Sequence, residues 1–132
     1  MFMDIEKIFK NLVIAHFVIL IAAIALTWND NEIATLNEEL TAGFFLDNLG
    51  TLTYWILYGY LLLYLISLVL LYIFNKYGKY LFTFVVILSF IFLLSEPIAM
   101  SGIESALEYL MSMIDGAILT LLYFTSIKDK FT

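Results

Sequence analysis

The chain has 132 residues, of which 64% are hydrophobic and 14% are charged, and its formal net charge is −6. Soluble domains are about half apolar and a quarter charged, and a small domain has too little interior to bury so much apolar surface. The composition therefore excludes an ordinary soluble protein and predicts one embedded in lipid. The absence of cysteine excludes disulfides and thiolate metal sites. Six lysines without a single arginine argue against nucleic-acid binding.

Four apolar runs, each of about 20 residues, are long enough to cross the ~30 Å hydrocarbon core of a bilayer. They cover roughly residues 8–28, 52–74, 80–100 and 107–127. The sequence therefore predicts an all-α fold, an integral membrane four-helix bundle. Residues 1–132 are expected to form a single four-span transmembrane domain.

The first run is expected to be retained as a span, because it is longer than the apolar part of a signal peptide and ends at Trp28. It contains the only histidine, His16, at about 12 Å from the lysine-flanked end of the run. A single histidine without companion ligands does not make a zinc or copper site, so we predict no metal and no cofactor. His16 is then either a structural residue whose imidazole is hydrogen-bonded within the bundle or the partner of an acid at similar depth.

The segment between the first and second runs is too long for a simple turn. Thr35 to Glu38 matches a capping box, and apolar residues after it recur on one helical face. We expect a short amphipathic helix at about residues 36–46, lying along the outer surface of the membrane. The alternative is a disordered loop.

The second and third runs are predicted to be antiparallel neighbours, because a tight turn containing Gly78 joins them. In the second run, Tyr60, Tyr64 and Ser67 share a face from which hydroxyl groups can reach a polar partner in the bundle. The third run ends or kinks at Glu96, since the residue before a proline is disfavoured in a helix. Glu96 is either a carboxylate that reaches outer water or a member of an ion path.

The fourth run combines its apolar residues with a polar stripe. A capping box from Ser101 to Glu104 is expected to start this span. At 100° per residue, one arc of roughly 140° collects its polar and small residues, and the opposite arc is apolar. The stripe consists of Ser105, Glu108, Ser112, Asp115, Gly116, Thr120 and Tyr123.

Asp115 lies near the middle of the fourth run, where water is absent and ionisation is expensive. One interpretation is an ion or proton relay, in which Asp115 acts with His16, Glu96 and Glu108. The other is a structural role, in which polar contacts of Asp115 hold neighbouring helices together. Three small residues beside the acid favour close approach of another helix, and they are the predicted packing residues: Ser112, Gly116 and Thr120.

The charges are distributed asymmetrically. All six lysines flank one side of the predicted bundle, before the first run, between the second and third, and after the fourth. The positive-inside rule therefore predicts a multi-pass protein of the bacterial inner membrane with both termini in the cytoplasm. The outer side is acidic, and Glu38, Asp47 and Glu104 either form a cation-attracting vestibule or simply solvate the outer loops.

Two stretches resemble a loose group of small four-span bacterial inner-membrane proteins. They are the segment KYGKYLF from Lys76 to Phe82, at the inner turn, and DGAILTLLYFTSIK from Asp115 to Lys128, in the last helix. Members of the group tend to have a glycine-basic pair before the third span and an Asp-Gly pair in the fourth. The resemblance implies the four-span topology and no mechanism. Where members favour proline near the end of the last helix, this chain has Ser126.

These features favour a protein that is not an enzyme, since phosphate-binding glycine loops, nucleophile elbows and zinc-protease motifs are absent from the sequence. The leading interpretation is a small polytopic membrane protein that acts by helix–helix association within the lipid bilayer, as a homo-oligomer or as an accessory subunit of a larger membrane partner. The alternative is a proton-coupled or cation-conducting channel or transporter that uses Asp115 as its relay. A third interpretation, a toxin-immunity protein, fits the size alone.

Overall fold

The computed structural model describes residues 4–27, 35–37, 39–40, 51–95 and 99–131. These residues form helices and connecting turns, and no strand occurs among them. Four helices are long: α1 (Ile5–Thr27), α2 (Thr51–Tyr72), α3 (Lys76–Ser95) and α4 (Gly102–Phe124), followed by a 3₁₀ helix at Ser126–Lys130. Three segments, Ile5–Leu26, Thr51–Tyr72 and Gly102–Phe124, are long and apolar enough to cross a membrane. The all-helical prediction is confirmed, and these three helices indicate a membrane protein.

The helices begin and end at residues that differ from the predicted limits of the apolar runs. Helix α4 begins at Gly102 rather than near residue 107, because the predicted capping box forms: the Glu104 amide donates to Ser101 Oγ at 3.2 Å, and the Ser101 amide donates to the Glu104 carboxylate at 2.6 Å. It ends at Phe124, where Thr125 turns to extended backbone. Helix α3 begins at Lys76, earlier than residue 80. Helical hydrogen bonding thus begins before the apolar runs of α3 and α4, whereas α2 and α4 end before the predicted limits of their runs.

Only the start of the predicted outer helix at 36–46 lies within the described residues. Residues 35–37 and 39–40 are helical. The Asn37 side chain makes a reciprocal pair of hydrogen bonds with the backbone of Ala99, at 2.7 and 3.1 Å. This contact joins the outer segment to the chain just before α4.

The long helices pack in a cyclic order. The most extensive contacts join α2 to α3 and α1 to α4, and smaller ones join α1 to α2 and α3 to α4. The α2–α3 pair is an antiparallel hairpin, as predicted, but its turn lies at residues 73–75, and Gly78 falls in the first turn of α3 rather than in the connection. Its backbones approach so closely that a Cβ on Gly78 would lie 2.7 Å from the carbonyl carbon of Leu70.

Each long helix contributes one buried stripe, with residues three or four positions apart, so the core sits between all four helices. Three members of these stripes are polar: His16, Ser67 and Asp115. The apolar members are Phe9, Val13 and Leu20 from α1, Tyr64, Leu68 and Leu71 from α2, Phe82, Val85 and Val86 from α3, and Ile114, Ile118 and Leu122 from α4.

The lysine-bearing end of the molecule is closed by three phenylalanines, Phe9, Phe74 and Phe131, which we call the aromatic cluster. Their ring centroids lie 5.4 to 5.9 Å apart. Phe74 terminates α2 with a left-handed backbone (φ 55°), and the amide of Asn75 donates to the Leu70 carbonyl at 2.9 Å. A left-handed conformation is unfavourable for a bulky residue, so ring packing compensates for it here.

Ion pairs surround the aromatic cluster. The Glu6 carboxylate lies 3.0 Å from Lys10 Nζ and 2.8 Å from Lys130 Nζ. The hydrogen bond from Lys130 to this carboxylate raises the pKa of the Lys130 ammonium above its ordinary value. The contact joins the first turn of α1 to the 3₁₀ helix and so places both described chain ends at the same end of the molecule.

Candidate functional site

Three side chains from three helices meet in the middle of the core: His16 of α1, Tyr64 of α2 and Asp115 of α4. We call them the polar cluster. The Tyr64 hydroxyl donates to Asp115 Oδ2 at 2.8 Å. His16 Nδ1 lies 3.1 Å from Asp115 Oδ1, and the edge of the imidazole packs against the Tyr64 ring with centroids 5.2 Å apart. The acid and the histidine that the sequence placed at similar depth are therefore in contact.

The polar cluster is not fully satisfied by hydrogen bonds. Among the described residues, neither ring nitrogen of His16 nor Asp115 Oδ1 has a hydrogen bond of good geometry. His16 Nδ1 and Asp115 Oδ1 are nevertheless within ion-pair distance of each other. Buried polar atoms normally have partners, so three such atoms in one place mark an unusual site.

The polar cluster lies far from both ends of the helices. Asp115 is about 14 Å from Phe124 and about 20 Å from Gly102 along the axis of α4, at 1.5 Å per residue. His16 is 0% exposed and Asp115 is 9% exposed. In a membrane protein of this length the site is therefore shielded from lipid by the other helices and from bulk water by depth.

Aromatic and acidic groups extend from the polar cluster toward the outer end. The Tyr60 ring stacks on the Tyr64 ring with centroids 5.9 Å apart, and the Tyr60 hydroxyl interacts with Ser89. Glu108 is half-buried two turns before Asp115 on the same face of α4. Polar side chains therefore also lie on the side of Asp115 that is away from the lysine end.

The side of the polar cluster toward the lysine end is mostly apolar. Phe82 of α3 lies against His16, with ring centroids 6.5 Å apart, and Val13 and Leu71 are buried below it. The aromatic cluster follows at the lysine end. Apolar side chains thus line most of the site toward the lysine end, where the exception is the buried Ser67 of α2, which donates to the Tyr64 carbonyl at 2.7 Å.

The polar stripe predicted on α4 divides into two parts in the structure. Asp115 is buried with Ile118 and Leu122, whereas Ser112, Gly116 and Thr120 are exposed. A Cβ on Gly116 would have no atom within 4 Å outside its own helix backbone and chain neighbours, and Thr120 Oγ1 donates to the Gly116 carbonyl at 2.8 Å. The acid and the three packing residues therefore face different surroundings and do not form one functional face.

The remaining predicted site residues have separate positions. Glu104 is committed to the capping box of α4, so its carboxylate has a structural use at the outer end. Glu38, Asp47 and Glu96 lie outside the described residues. Within the described part of the chain, no group of three histidine, cysteine, aspartate or glutamate side chains is arranged to hold a metal ion.

Phe82 packs against the polar cluster and was not predicted from the sequence as part of the site. It packs against His16 and also stacks on Tyr64, with centroids 6.2 Å apart in the second contact. One of many phenylalanines in an apolar run gives no sequence signal of such a role. Its position seven residues after the start of the glycine-containing turn was the only available hint.

The chain matches no protein-family model, no curated protein and no solved structure. Functional inference therefore depends on the polar cluster and its surroundings.

Proposed function

We propose that this protein is a four-span protein of the bacterial inner membrane, with both termini in the cytoplasm, that binds and releases a proton at the polar cluster. It would act as a proton-coupled or cation-conducting channel or transporter. The observation that carries the proposal is the contact between a fully buried imidazole and a carboxylate, 3.1 Å apart, in the middle of the helices.

The chemistry of the pair supports proton exchange. With one titratable proton shared between them, an imidazole–carboxyl pair is neutral overall, either as two uncharged groups or as an ion pair. Losing or gaining a proton gives the pair a net charge, which is costly where water is absent. The two groups titrate as a unit. Each change in the net charge of the pair favours binding of a compensating ion or a movement of the helices.

The surroundings of the pair favour access from one side. Tyr60, Tyr64 and Glu108 provide hydroxyl and carboxyl groups toward the outer end, while the aromatic cluster occupies the inner end. Protons enter from the outer side in this proposal. Release to the cytoplasm then requires separation of the aromatic rings, which makes the inner end the gate.

The proposal is tested by proton flux into liposomes that contain the purified protein and carry a pH gradient. Asp115→Asn keeps the shape and the acceptor for Tyr64 but removes the ionisable group, so we expect flux to fall at least tenfold. Met113→Ala, at an exposed position on the same helix outside the small-residue face, is the control and should leave flux unchanged. Wild-type flux equal to that of empty liposomes contradicts the proposal.

A second candidate function, helix–helix association, is favoured by the exposed small-residue face of α4. Ser112, Gly116 and Thr120 are exposed, a Cβ on Gly116 would meet no atom within 4 Å outside its own helix backbone, and interfaces between membrane helices are rich in small residues. Gly116→Leu should dissociate a homo-oligomer or a larger complex, which mass measurement in nanodiscs detects. Gly59→Leu on α2, where the Cβ position is equally open, is the control. An unchanged mass for Gly116→Leu excludes this face as the contact.

A further inference from the structure

A second feature of the molecule, independent of the polar cluster, is an apolar groove between α1 and α2. Its volume is about 300 Å³, and it is lined by Val13, Ile14, Phe17, Leu68, Val69 and Tyr72. Val13 and Leu68 form a buried floor, whereas the other four side chains are exposed walls. The groove therefore opens on the side of the helix pair that faces away from the core, toward acyl chains.

Lysines lie at one end of this groove. Lys7 and Lys10 precede Ile14 by seven and four residues, so helical periodicity puts both on the groove face of α1. The Lys10 ammonium lies over the Tyr72 ring, 5.7 Å from its centroid, and Tyr72 is itself a wall of the groove. Lys7 is exposed, and no carboxylate among the described residues lies within ion-pair distance of it.

The groups around this end carry surplus positive charge. Glu6 is shared by Lys10 and Lys130, and Asp4 Oδ1 accepts from the Glu6 amide at the start of α1. The described side chains at the start of α1 and in the 3₁₀ helix comprise four ammonium groups and three carboxylates, which leaves one positive charge uncompensated: Lys7, Lys10, Lys128 and Lys130 against Asp4, Glu6 and Asp129. Basic sites between membrane helices at the cytoplasmic surface bind the headgroups of anionic lipids.

We propose that the groove between α1 and α2 is a specific site for one anionic phospholipid. One acyl chain lies between Val13 and Val69, and the phosphate is bound by Lys7 and Lys10. The apolar lining explains binding of the acyl chain. The uncompensated positive charge explains why an anionic lipid is preferred over a zwitterionic lipid, whose own cation would compete with the lysines.

The test is native mass spectrometry of the full chain, released from detergent after titration with phosphatidylglycerol or phosphatidylcholine. The wild-type protein should retain one phosphatidylglycerol at least tenfold more tightly than phosphatidylcholine. Val69→Phe fills the groove and should abolish this preference, while Ile87→Phe, at an equally exposed position on α3, should not. Lys10→Gln should weaken the binding of phosphatidylglycerol but not that of phosphatidylcholine. Lys79→Gln, at a lysine whose ammonium lies over the Tyr123 ring, should change the binding of neither lipid.

Equal retention of the two lipids by the wild-type protein overturns the proposal. So does unchanged retention of phosphatidylglycerol in both Val69→Phe and Lys10→Gln. If Val69→Phe instead lowers the mass of the assembly without changing lipid retention, the groove is occupied by a second copy of the chain and not by lipid. Because residue 69 is exposed, the unfolding midpoint of Val69→Phe should match that of Ile87→Phe, which separates lost binding from lost folding.

Discussion

At the scale of single residues, Asp115 has two unequal oxygens. Oδ2 accepts from Tyr64 at 2.8 Å, whereas Oδ1 faces the His16 ring without a well-aligned hydrogen bond. An unpaired buried polar atom costs about 1–3 kcal/mol. The nearest polar atom to Oδ1 that could offset this cost is His16 Nδ1, and the proposed proton exchange depends on that contact.

Tyr64→Phe should destabilise the protein by about 1 kcal/mol, the usual net value of one buried hydrogen bond in a protein or a membrane bundle. Thermal unfolding in a single detergent measures the change, with the exposed Tyr58→Phe on the same helix as control. In an Asp115→Ala background the same substitution should cost nothing, because the acceptor is gone. An equal cost in both backgrounds would show that Tyr64 acts through ring packing and not through Asp115.

The sequence predicted the members of the polar cluster better than their geometry. The depths of His16 and Asp115 along their runs are set by helical rise, so the possibility of contact was accessible, as was the inward face of Tyr64. Which helices are neighbours depends on packing between apolar surfaces, and these look alike in sequence whether they face protein or lipid. For the same reason the polar stripe of α4 gave no indication that Gly116 would face outward.

At the scale of helices, the existence of each long helix was predictable because an apolar run of about 20 residues has one common solution in lipid. The residues at which the helices begin were not predictable from the apolar runs, since polar residues such as Lys76 and Glu104 extend the hydrogen-bonded helix beyond the apolar run. The contact that fixes the α2–α3 hairpin is also hidden in sequence: Gly78 is recognisable as a turn residue but not as a point where two backbones touch.

Gly78→Ala should therefore destabilise the protein by about 1–3 kcal/mol, the usual cost of overpacking. The added methyl would lie under 3 Å from backbone atoms of Leu70 and Leu71, which cannot move independently of α2. Gly59→Ala is the matched control, because its Cβ meets no atom within 4 Å, and it should be neutral or stabilise by up to about 1 kcal/mol. Equal unfolding midpoints for the two variants would contradict the close approach.

At the scale of the whole molecule, the two charged ends of the described chain lie together at one end of the bundle. Glu6 pairs with Lys130, and Phe9 packs on Phe74 and Phe131, so the start of α1, the α2–α3 turn and the 3₁₀ helix meet at one end. This end carries the lysines, which places it in the cytoplasm in the proposed topology. In the proposed topology α3 crosses the membrane as well, whereas α1, α2 and α4 are the helices that qualify as spans by length and composition among the described residues.

Labelling of single introduced cysteines with a membrane-impermeant maleimide tests this topology without background, because the chain has no cysteine of its own. In intact spheroplasts, Ile103→Cys should react from outside, whereas Tyr77→Cys and Ser126→Cys should react only after permeabilisation; all three positions are exposed. If α3 stayed on the cytoplasmic side, α4 would run in the opposite direction. Ser126→Cys would then react from outside and Ile103→Cys would not, and the lysines after α4 would lie across the membrane from Lys7 and Lys10. The salt bridge between Glu6 and Lys130 is impossible in that arrangement, so the labelling pattern tests the fold and the topology together.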